Sequence, residues 1–246
     1  MAEECCCRPE QSGADGCLVC GAPIVYGAER ERECAVCHRR FVSGSACANG
    51  HYVCDSCHAH AAEPFLNFLR FTPERDATAL FSQVVTLPGV HMHGPEHHRI
   101  VPAVLLAAYR NCGGEIDLPA ALTAAMNRAK NVPGGTCGYW GVCGAAAGAG
   151  IYASVVTGSS PLNAGAWTKP QRLAARVIGR IADLGGVRCC KRTGVLAILE
   201  AAAWTRETLG VELIASTPVC AWSDRNRECL GAACPFNPRH GEDPAT

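Results

Sequence analysis

The chain has 246 residues, 48% of them apolar and 18% charged, so it can bury a sizeable core and is not a disordered protein. Its basic and acidic residues number 22 each, and this zero net charge excludes a general electrostatic attraction to nucleic acid or anionic membranes. The 18 cysteines are its exceptional feature. The first ten residues, MAEECCCRPE, lack the apolar stretch of a secretory signal. We therefore expect a cytoplasmic protein whose cysteines bind metal or carry out thiol chemistry.

Residues 1–60 are rich in cysteine and histidine and have little apolar periodicity, so a fold in this region needs metal ions to hold it together. We predict a disordered, cysteine-containing arm over residues 1–16 and a zinc-binding module over residues 17–60. The candidate ligands form four closely spaced pairs: Cys17 and Cys20, Cys34 and Cys37, Cys47 and His51, and Cys54 and Cys57. Because tetrahedral Zn²⁺ takes four such ligands, the pairs fill two closed, structural sites.

Two pairings of these ligands remain open. In a sequential arrangement the first two pairs bind one ion and the last two pairs bind the other. In an interleaved arrangement, alternate pairs share an ion. Zinc modules of this kind often bind nucleic acid, but here the arginines within residues 29–33 alternate with glutamates. Nucleic-acid binding is therefore not expected.

Helical patterns dominate from residue 61 to residue 236, and we predict a helical Cys/His-rich domain there, followed by a disordered tail over residues 237–246. Thr72 and Pro73 have the residue types of a helix start, and residues 211–216 are a candidate strand. Helices are predicted within residues 72–85, 99–111, 117–130, 168–186 and 193–210. The predicted fold class is mostly α, with a compact helical domain preceded by a small cysteine-rich zinc-binding module.

The uncharged stretch GTCGYWGVCGAAAGAG, residues 135–150, continues into an apolar run that ends at Val156. Its apolar part is shorter than the roughly 20 residues that a membrane-spanning helix needs, so we predict a buried helix and no membrane span. Glycines in this helix leave room for the close approach of another helix or of a ligand. Cys137 and Cys143 flank its beginning, where the helix dipole favours a thiolate.

Two further segments concentrate histidine and cysteine. GVHMHGPEHHR holds four histidines, and an extended His-x-His places both rings on one side, as in many metal sites; solvated surface histidines are the alternative. These residues are His91, His93, His97 and His98. GGVRCCKR holds Cys189 and Cys190 beside two basic residues, a setting that lowers a thiol pKa; buried, inert thiols are the alternative.

The C-terminal segment CAWSDRNRECLGAACPFNP contains Cys220, Cys229 and Cys234. A cysteine followed by proline at the end of a spaced cysteine series occurs in iron–sulfur ligation, although this spacing fits no standard ferredoxin run.

The segments MHGPEHH, PGGTCGYWGVCGAAAGAGI, GGVRCCKR and NRECLGAACPF together resemble an uncharacterised family of prokaryotic cysteine-rich proteins. The resemblance covers nearly the whole chain from Cys17 to Phe236. It implies a zinc-type module ahead of a helical domain, and some members of that family resemble extensions or neighbours of radical-SAM enzymes. The CGAAAG motif also resembles redox-active proteins with a Cys-Gly-Ala-x-x-Gly motif. This chain has no Cys-x3-Cys-x2-Cys run, so it is not itself a radical-SAM enzyme of the usual kind.

These features favour a redox or sulfur-handling metalloprotein that holds two zinc ions and, in its helical domain, an iron–sulfur cluster. The candidate catalytic residues are Cys137, Cys143, Cys189, Cys190 and His93. The candidate cofactor-binding residues are Cys220, Cys229, Cys234, His91, His97 and His98. One alternative is a non-catalytic, zinc-stapled adaptor for a partner such as a radical-SAM protein or another redox enzyme. Another is a soft-metal sensor or carrier.

Overall fold

The computed structural model describes residue 17 and residues 22–35, 39–54, 64–87 and 90–241. The chain forms two compact units, Met1–Pro64 and Phe65–Thr246, which we call the N-terminal unit and the helical unit. The predicted arm over residues 1–16 lies outside the described residues. So do three of the predicted zinc ligands, Cys20, Cys37 and Cys57.

The described part of the N-terminal unit is built on an antiparallel hairpin. Strand β1 (Ile24–Glu33) pairs with strand β2 (Arg40–Cys47), and the register is irregular between Tyr26 and Arg30. Ile24 lies opposite Cys47 at the open end of the hairpin, whereas Glu33 lies opposite Arg40 at the turn end. Cys34 follows β1 directly, so the hairpin places Cys34 and Cys47 at opposite ends.

Among the described residues, the helical unit contains eight α-helices, which confirms the mostly α fold class. They are α1 (Pro64–Phe71), α2 (Ala77–Val84), α3 (Glu96–Asn111), α4 (Leu118–Ala129), α5 (Thr136–Tyr139), α6 (Gly144–Val156), α7 (Thr168–Leu184) and α8 (Cys190–Leu209).

Two of the helix starts follow from short polar side chains. Asp117 caps α4 by accepting a hydrogen bond from the backbone N–H of Ala120. Asp76 caps α2 by accepting from the N–H groups of Thr78 and Ala79. The predicted start of this helix at Thr72 is therefore wrong, because Thr72 instead accepts from the backbone N–H of Glu74 in the turn before it.

Helix α3 is the centre of the helical unit and is buried along Ile100–Ala108. It packs against α2, α4, α6 and α8. Glycines in α6 make its close packing with α3 and α7 achievable. A Cβ at Gly148 would lie 2.9 Å from Pro102 Cδ and 3.0 Å from the His98 carbonyl oxygen, and a Cβ at Gly150 would contact Ala174 at 3.4 Å. Neighbouring helices therefore occupy the space that these two glycines leave.

The segment after α8 packs on the helices with little regular structure of its own. Within residues 210–241 it contains two short 3-10 helices, Ser223–Arg225 and Gly231–Ala233. The predicted strand over residues 211–216 is wrong, since Ile214 makes only an isolated bridge with Asp76. Asn237, predicted as the start of a disordered tail, is buried.

No helix within the described ranges has the length and apolarity needed to cross a bilayer.

Candidate metal and thiol sites

In the N-terminal unit, the end of β2 forms a compact group of metal-binding side chains. The donor atoms of Cys17, Cys47 and His51 all lie within 4.8 Å of one another. The turn after β2 brings His51 back, so that its Nδ1 lies 3.6 Å from Cys47 Sγ and its backbone N–H donates to the same sulfur at 3.2 Å. Two thiols and an imidazole in this arrangement can hold a metal ion.

The other described ligands of this unit meet at the turn end of the hairpin. The backbone N–H of Cys54 donates to Cys34 Sγ at 3.3 Å, and both residues are buried against Phe41, Tyr52 and Val53. Alternate members of the four predicted pairs thus lie together, Cys17 with Cys47 and His51, and Cys34 with Cys54. This juxtaposition fits the interleaved pairing and not the sequential one, in which Cys17 and Cys34 would share an ion.

In the helical unit, six predicted site residues line one cavity of about 670 Å³, which we call the thiol cavity. The residues are Cys137, Cys143, Cys189, Cys190, His97 and His98. Helix α5 and the N-cap of α6 contribute the first two cysteines, and the N-terminus of α8 contributes the next two. The thiol cavity therefore collects cysteines from two distant parts of the sequence, each at the beginning of a helix.

The cysteines of the thiol cavity differ in exposure. Cys137 is exposed, Cys143 and Cys190 are half-buried, and Cys189 is buried. Burial raises the pKa of Cys190 to about 11, and this effect outweighs the backbone N–H of Gly94 and the ammonium of Lys191, which act in the opposite direction. The expected net lowering of the thiol pKa is therefore wrong for Cys190, because burial outweighs the charge of Lys191. The negative charge of a Cys143 thiolate is a further, smaller cause that raises the pKa of Cys190.

His97 has a structural role beside this cavity. Its Nδ1 donates to the Gly94 carbonyl oxygen at 3.1 Å, and its Nε2 accepts from the Lys191 ammonium at 3.2 Å. Burial, together with the charge of Lys191, lowers the pKa of His97 to about 4. A neutral ring with both nitrogens engaged has no lone pair left for a metal, so this geometry does not fit the predicted cofactor-binding role.

The other three histidines within residues 91–98 occupy three different environments. His98 donates from Nδ1 to the Val132 carbonyl oxygen at 3.2 Å, and its ring packs against Gly144 on the wall of the thiol cavity. His91 is exposed, and its Nδ1 lies 3.2 Å from a carboxylate oxygen of Glu96. Neither His91 nor His93 lines the thiol cavity.

His93 acts on a cysteine through another side chain. Its Nε2 lies 3.0 Å from Asn226 Oδ1, and Asn226 Nδ2 in turn lies 3.5 Å from Cys189 Sγ. The Nε2 atom is also 3.3 Å from a carboxylate oxygen of Glu228. His93 therefore orients the amide that donates to Cys189, and we describe it as a positioning residue.

A second, smaller cavity of about 30 Å³ is also lined by Cys189, and we call it the four-cysteine cavity. Cys189, Cys220, Cys229 and Cys234 line it, so all three predicted cofactor-binding cysteines of the C-terminal segment converge there. Cys189 lines both cavities. Burial raises the pKa of Cys234 against the effects of the Phe236 backbone N–H and the Arg192 guanidinium.

The sequence of residues 66–237 matches a protein family described as "Family of unknown function (DUF5714)". The chain belongs to this family. No curated protein and no solved structure matches the chain. The DUF5714 range contains every cysteine that lines the two cavities, and it begins after the candidate metal ligands of the N-terminal unit.

Some residues that contact the side chains around the two cavities were not predicted from the sequence. Asn226 and Asn237 each direct a side-chain amide at a cysteine sulfur, and Lys191 donates to the carbonyl oxygens of His91 and Met92 as well as to His97. Asparagine is common in polar loops, so the sequence context of Asn226 and Asn237 carried no distinguishing signal. The basic residue Lys191 was noted beside the cysteine pair, but its contact with His97 could not be foreseen. By contrast, Cys112 lies outside both cavities, at the end of α3.

Proposed function

We propose that this protein is a redox metalloprotein whose thiol cavity cycles between dithiol and disulfide. The observation that carries the proposal is the convergence of four cysteines on one cavity of about 670 Å³, large enough to admit part of a substrate or partner. All eight described cysteines of the helical unit are free thiols, so each is available for ligation or disulfide formation.

Cys143 and Cys190 are the pair that we assign to the redox step. Both residues line the same cavity, one at the start of α6 and the other at the start of α8, and both are half-buried. When their S–S bond forms, two electrons and two protons leave the pair, and the bond breaks when they return. The exposed Cys137 is the thiol available to the sulfur of an incoming substrate or partner.

The electrons require a redox partner, for which we propose a radical-SAM protein or another redox enzyme. The exposed side chains of Tyr139 and Trp140 lie two and three residues after Cys137, and aromatic residues of this kind are enriched in protein interfaces.

In the N-terminal unit we propose two structural zinc ions. Cys17, Cys47 and His51 with Cys20 would hold one, and Cys34 and Cys54 with Cys37 and Cys57 would hold the other. The close approach of the described members of each set supports this assignment. Closed tetrahedral sites leave no position for water or substrate, so their role is to stabilise the unit.

The redox proposal is tested by equilibrating the full-length protein in glutathione buffers of graded potential under anaerobic conditions, then mapping disulfides by alkylation and mass spectrometry. We expect a disulfide that links Cys143 and Cys190 and that is abolished in Cys143→Ser and in Cys190→Ser. Cys112→Ser is the matched control, because Cys112 is half-buried but lines neither cavity, and it should leave the couple unchanged. A thiol cavity that stays fully reduced at every potential would refute the proposal.

A further inference from the structure

We infer that the four-cysteine cavity is an iron–sulfur cluster site whose ligands are Cys189, Cys220, Cys229 and Cys234. We also infer that this cluster exchanges single electrons with the thiol cavity, a role that rests on the function proposed above.

The four cysteines line one small cavity of about 30 Å³. Cys189 comes from the N-cap of α8, and the other three come from the C-terminal segment that packs over it. Phe81, Trp222 and Phe236 complete the wall and keep most of it apolar. An apolar shell of this kind limits solvent access to a cluster and protects its reduced form.

The sulfurs of the four-cysteine cavity are not arranged as a compact single-ion site. Around one tetrahedral zinc, Zn–S bonds of about 2.3 Å place the sulfurs roughly 3.8 Å apart. Within the described chain, the compact group at Cys17 is the one set of three or more Cys, His or acidic donors that all lie within 4.8 Å of one another. No three of the four cavity sulfurs lie within 4.8 Å of one another, so they do not form the compact tetrahedron of a single zinc site. In an iron–sulfur cluster each sulfur binds a different iron.

Each of the four sulfurs already receives an N–H donor. Cys220 accepts from the backbone N–H of Trp222 at 3.4 Å, and Cys229 accepts from that of Gly231 at 3.4 Å. Cys234 accepts from the backbone N–H of Phe236. In all three cases the donor lies two residues after the cysteine, so the local turn presents the sulfur and an N–H to it together.

Cys189 accepts two such bonds. The backbone N–H of Arg192 and the side-chain amide of Asn226 each donate to its sulfur at 3.5 Å. Cys229 receives a second amide, from Asn237 at 3.7 Å. Donors of this kind stabilise thiolate sulfur and tune the reduction potential of a bound cluster. A buried thiol that binds no metal does not need an N–H hydrogen bond to its sulfur, whereas here all four sulfurs accept one.

The charge around the cavity is also suitable. Four thiolates on an iron–sulfur core carry net negative charge, and both Lys191 and Arg192 line the cavity. Arg192 is held in place by hydrogen bonds to the carbonyl oxygens of Gly185 and Val187, at 3.2 Å and 2.6 Å. The N-terminus of α8, a 20-residue helix, adds the positive end of its dipole at Cys189.

The vicinal cysteines connect this site to the thiol cavity. Cys189 lines both cavities, and Cys190, bonded to it in the chain, lines the thiol cavity. Reduction of the Cys143–Cys190 disulfide takes up two electrons and two protons. A one-electron carrier protein would supply the electrons in two steps through the cluster, and water would supply the protons.

The test uses full-length protein purified anaerobically and reconstituted with ferrous iron and sulfide. We expect bound iron and acid-labile sulfide, broad visible absorption, and an electron paramagnetic resonance signal after reduction with dithionite. Cys220→Ser and Cys229→Ser remove half-buried ligands, which limits damage to the core, and each should lower the iron content about tenfold or more. Cys112→Ser and Cys143→Ser should retain the cluster, and zinc should be unchanged in all four variants.

Iron that remains in both Cys220→Ser and Cys229→Ser, or a cavity that takes up zinc but no iron and sulfide, would overturn the inference. The two proposals fail separately. A glutathione-dependent disulfide in a protein without a cluster overturns only the cluster site. A cluster in a protein whose thiol cavity never oxidises overturns the dithiol function and the electron route that depends on it.

Discussion

The N-terminal unit and the helical unit both contain clustered cysteines, but the side chains that surround these cysteines differ. In the described part of the N-terminal unit, the buried cluster consists of Cys34 and Cys54, with Phe41, Tyr52 and Val53 packed against it. In the helical unit, α3 is buried within a continuous apolar core, and the cysteines lie around cavities beside it. Candidate metal ligands thus form the buried cluster of the first unit, whereas in the second an independent apolar core positions the thiols. Metal should therefore be needed for the fold of one unit and for the chemistry of the other.

Removal of zinc is expected to produce the largest difference in folding between the two units. Chelation of the full-length protein should unfold the N-terminal unit, because a metal-stapled module of this size has little apolar burial to replace the lost coordination. The helical unit should remain folded. Hydrogen exchange resolved by mass spectrometry should show loss of protection over β1 and β2 and unchanged protection in α3.

Tryptophan fluorescence provides the internal control, because the four tryptophans, Trp140, Trp167, Trp204 and Trp222, all lie in the helical unit. Their emission should not change on chelation. Persistent protection in the hairpin of a metal-free protein would contradict the view that ligands replace a core there.

The second prediction concerns the pairing of ligands within the N-terminal unit. If alternate pairs share an ion, Cys17→Ser/Cys47→Ser should lose one zinc, because both ligands belong to the same site. Cys17→Ser/Cys34→Ser should lose both. Native mass spectrometry of the two double variants counts the ions directly. The sequential pairing requires the reverse result, with one ion lost from the second variant and two from the first.

Much of the helical unit could be predicted from its apolar periodicity and capping residues, because these signals are local. Asp117 before Pro119 marked the start of α4 correctly. At Thr72 the same type of signal failed, since Asp76 stands four residues later and offers the stronger cap. The hairpin was missed because residues 29–33 alternate glutamate and arginine and give β1 no apolar face there.

In the candidate site, too, features that depend on neighbouring residues could be predicted, whereas features that depend on distant residues could not. Cys137, Cys143, Cys189 and Cys190 were expected to share a site because both cysteine pairs sit at glycine-rich helix starts, and the structure places all four on one cavity. Their catalytic role stays a prediction. The engagement of His97 by Lys191, which is 94 residues away, had no local signature. Burial of Cys190 likewise depends on tertiary packing, so its raised pKa could not be predicted from neighbouring charges.

The third prediction concerns the stability of the helical unit at low pH. The folded pKa of His97 is lowered to about 4, while the unfolded chain titrates near 6.5. Below about pH 6.5 the unfolded state takes up a proton that the folded state does not, so stability falls as pH drops toward 4. Between pH 7 and pH 5 this histidine should lower the free energy of unfolding by roughly 2 kcal/mol.

Urea unfolding monitored by tryptophan fluorescence measures this change in the helical unit. His97→Gln keeps a donor and an acceptor but does not titrate, so it should lose most of the His97-dependent part of the pH slope. An equal slope in both proteins would show that the His97 ring does not stay neutral in the folded state.

The smallest effects are expected at two helical glycines, and they test whether the core of the helical unit is packed closely enough to hold its cavities in place. At Gly148 in α6 a Cβ would lie 3.0 Å from the backbone oxygen of His98, which cannot move without shifting α3. At Gly179 in α7 a Cβ would meet no atom within 4 Å. Gly179→Ala should raise the free energy of unfolding by about 0.5–1 kcal/mol through helix propensity alone.

In Gly148→Ala the same propensity gain is opposed by overpacking of about 1–3 kcal/mol, so a net loss of about 1 kcal/mol is expected. Urea unfolding of the two variants, measured side by side, separates packing from propensity because the substitution is identical. If Gly148→Ala were as stabilising as Gly179→Ala, α6 would have room to move away from α3. The glycine would then not be needed for close packing, and the position of Cys143 at the start of α6 would be less firmly fixed than that of Cys189 on α8.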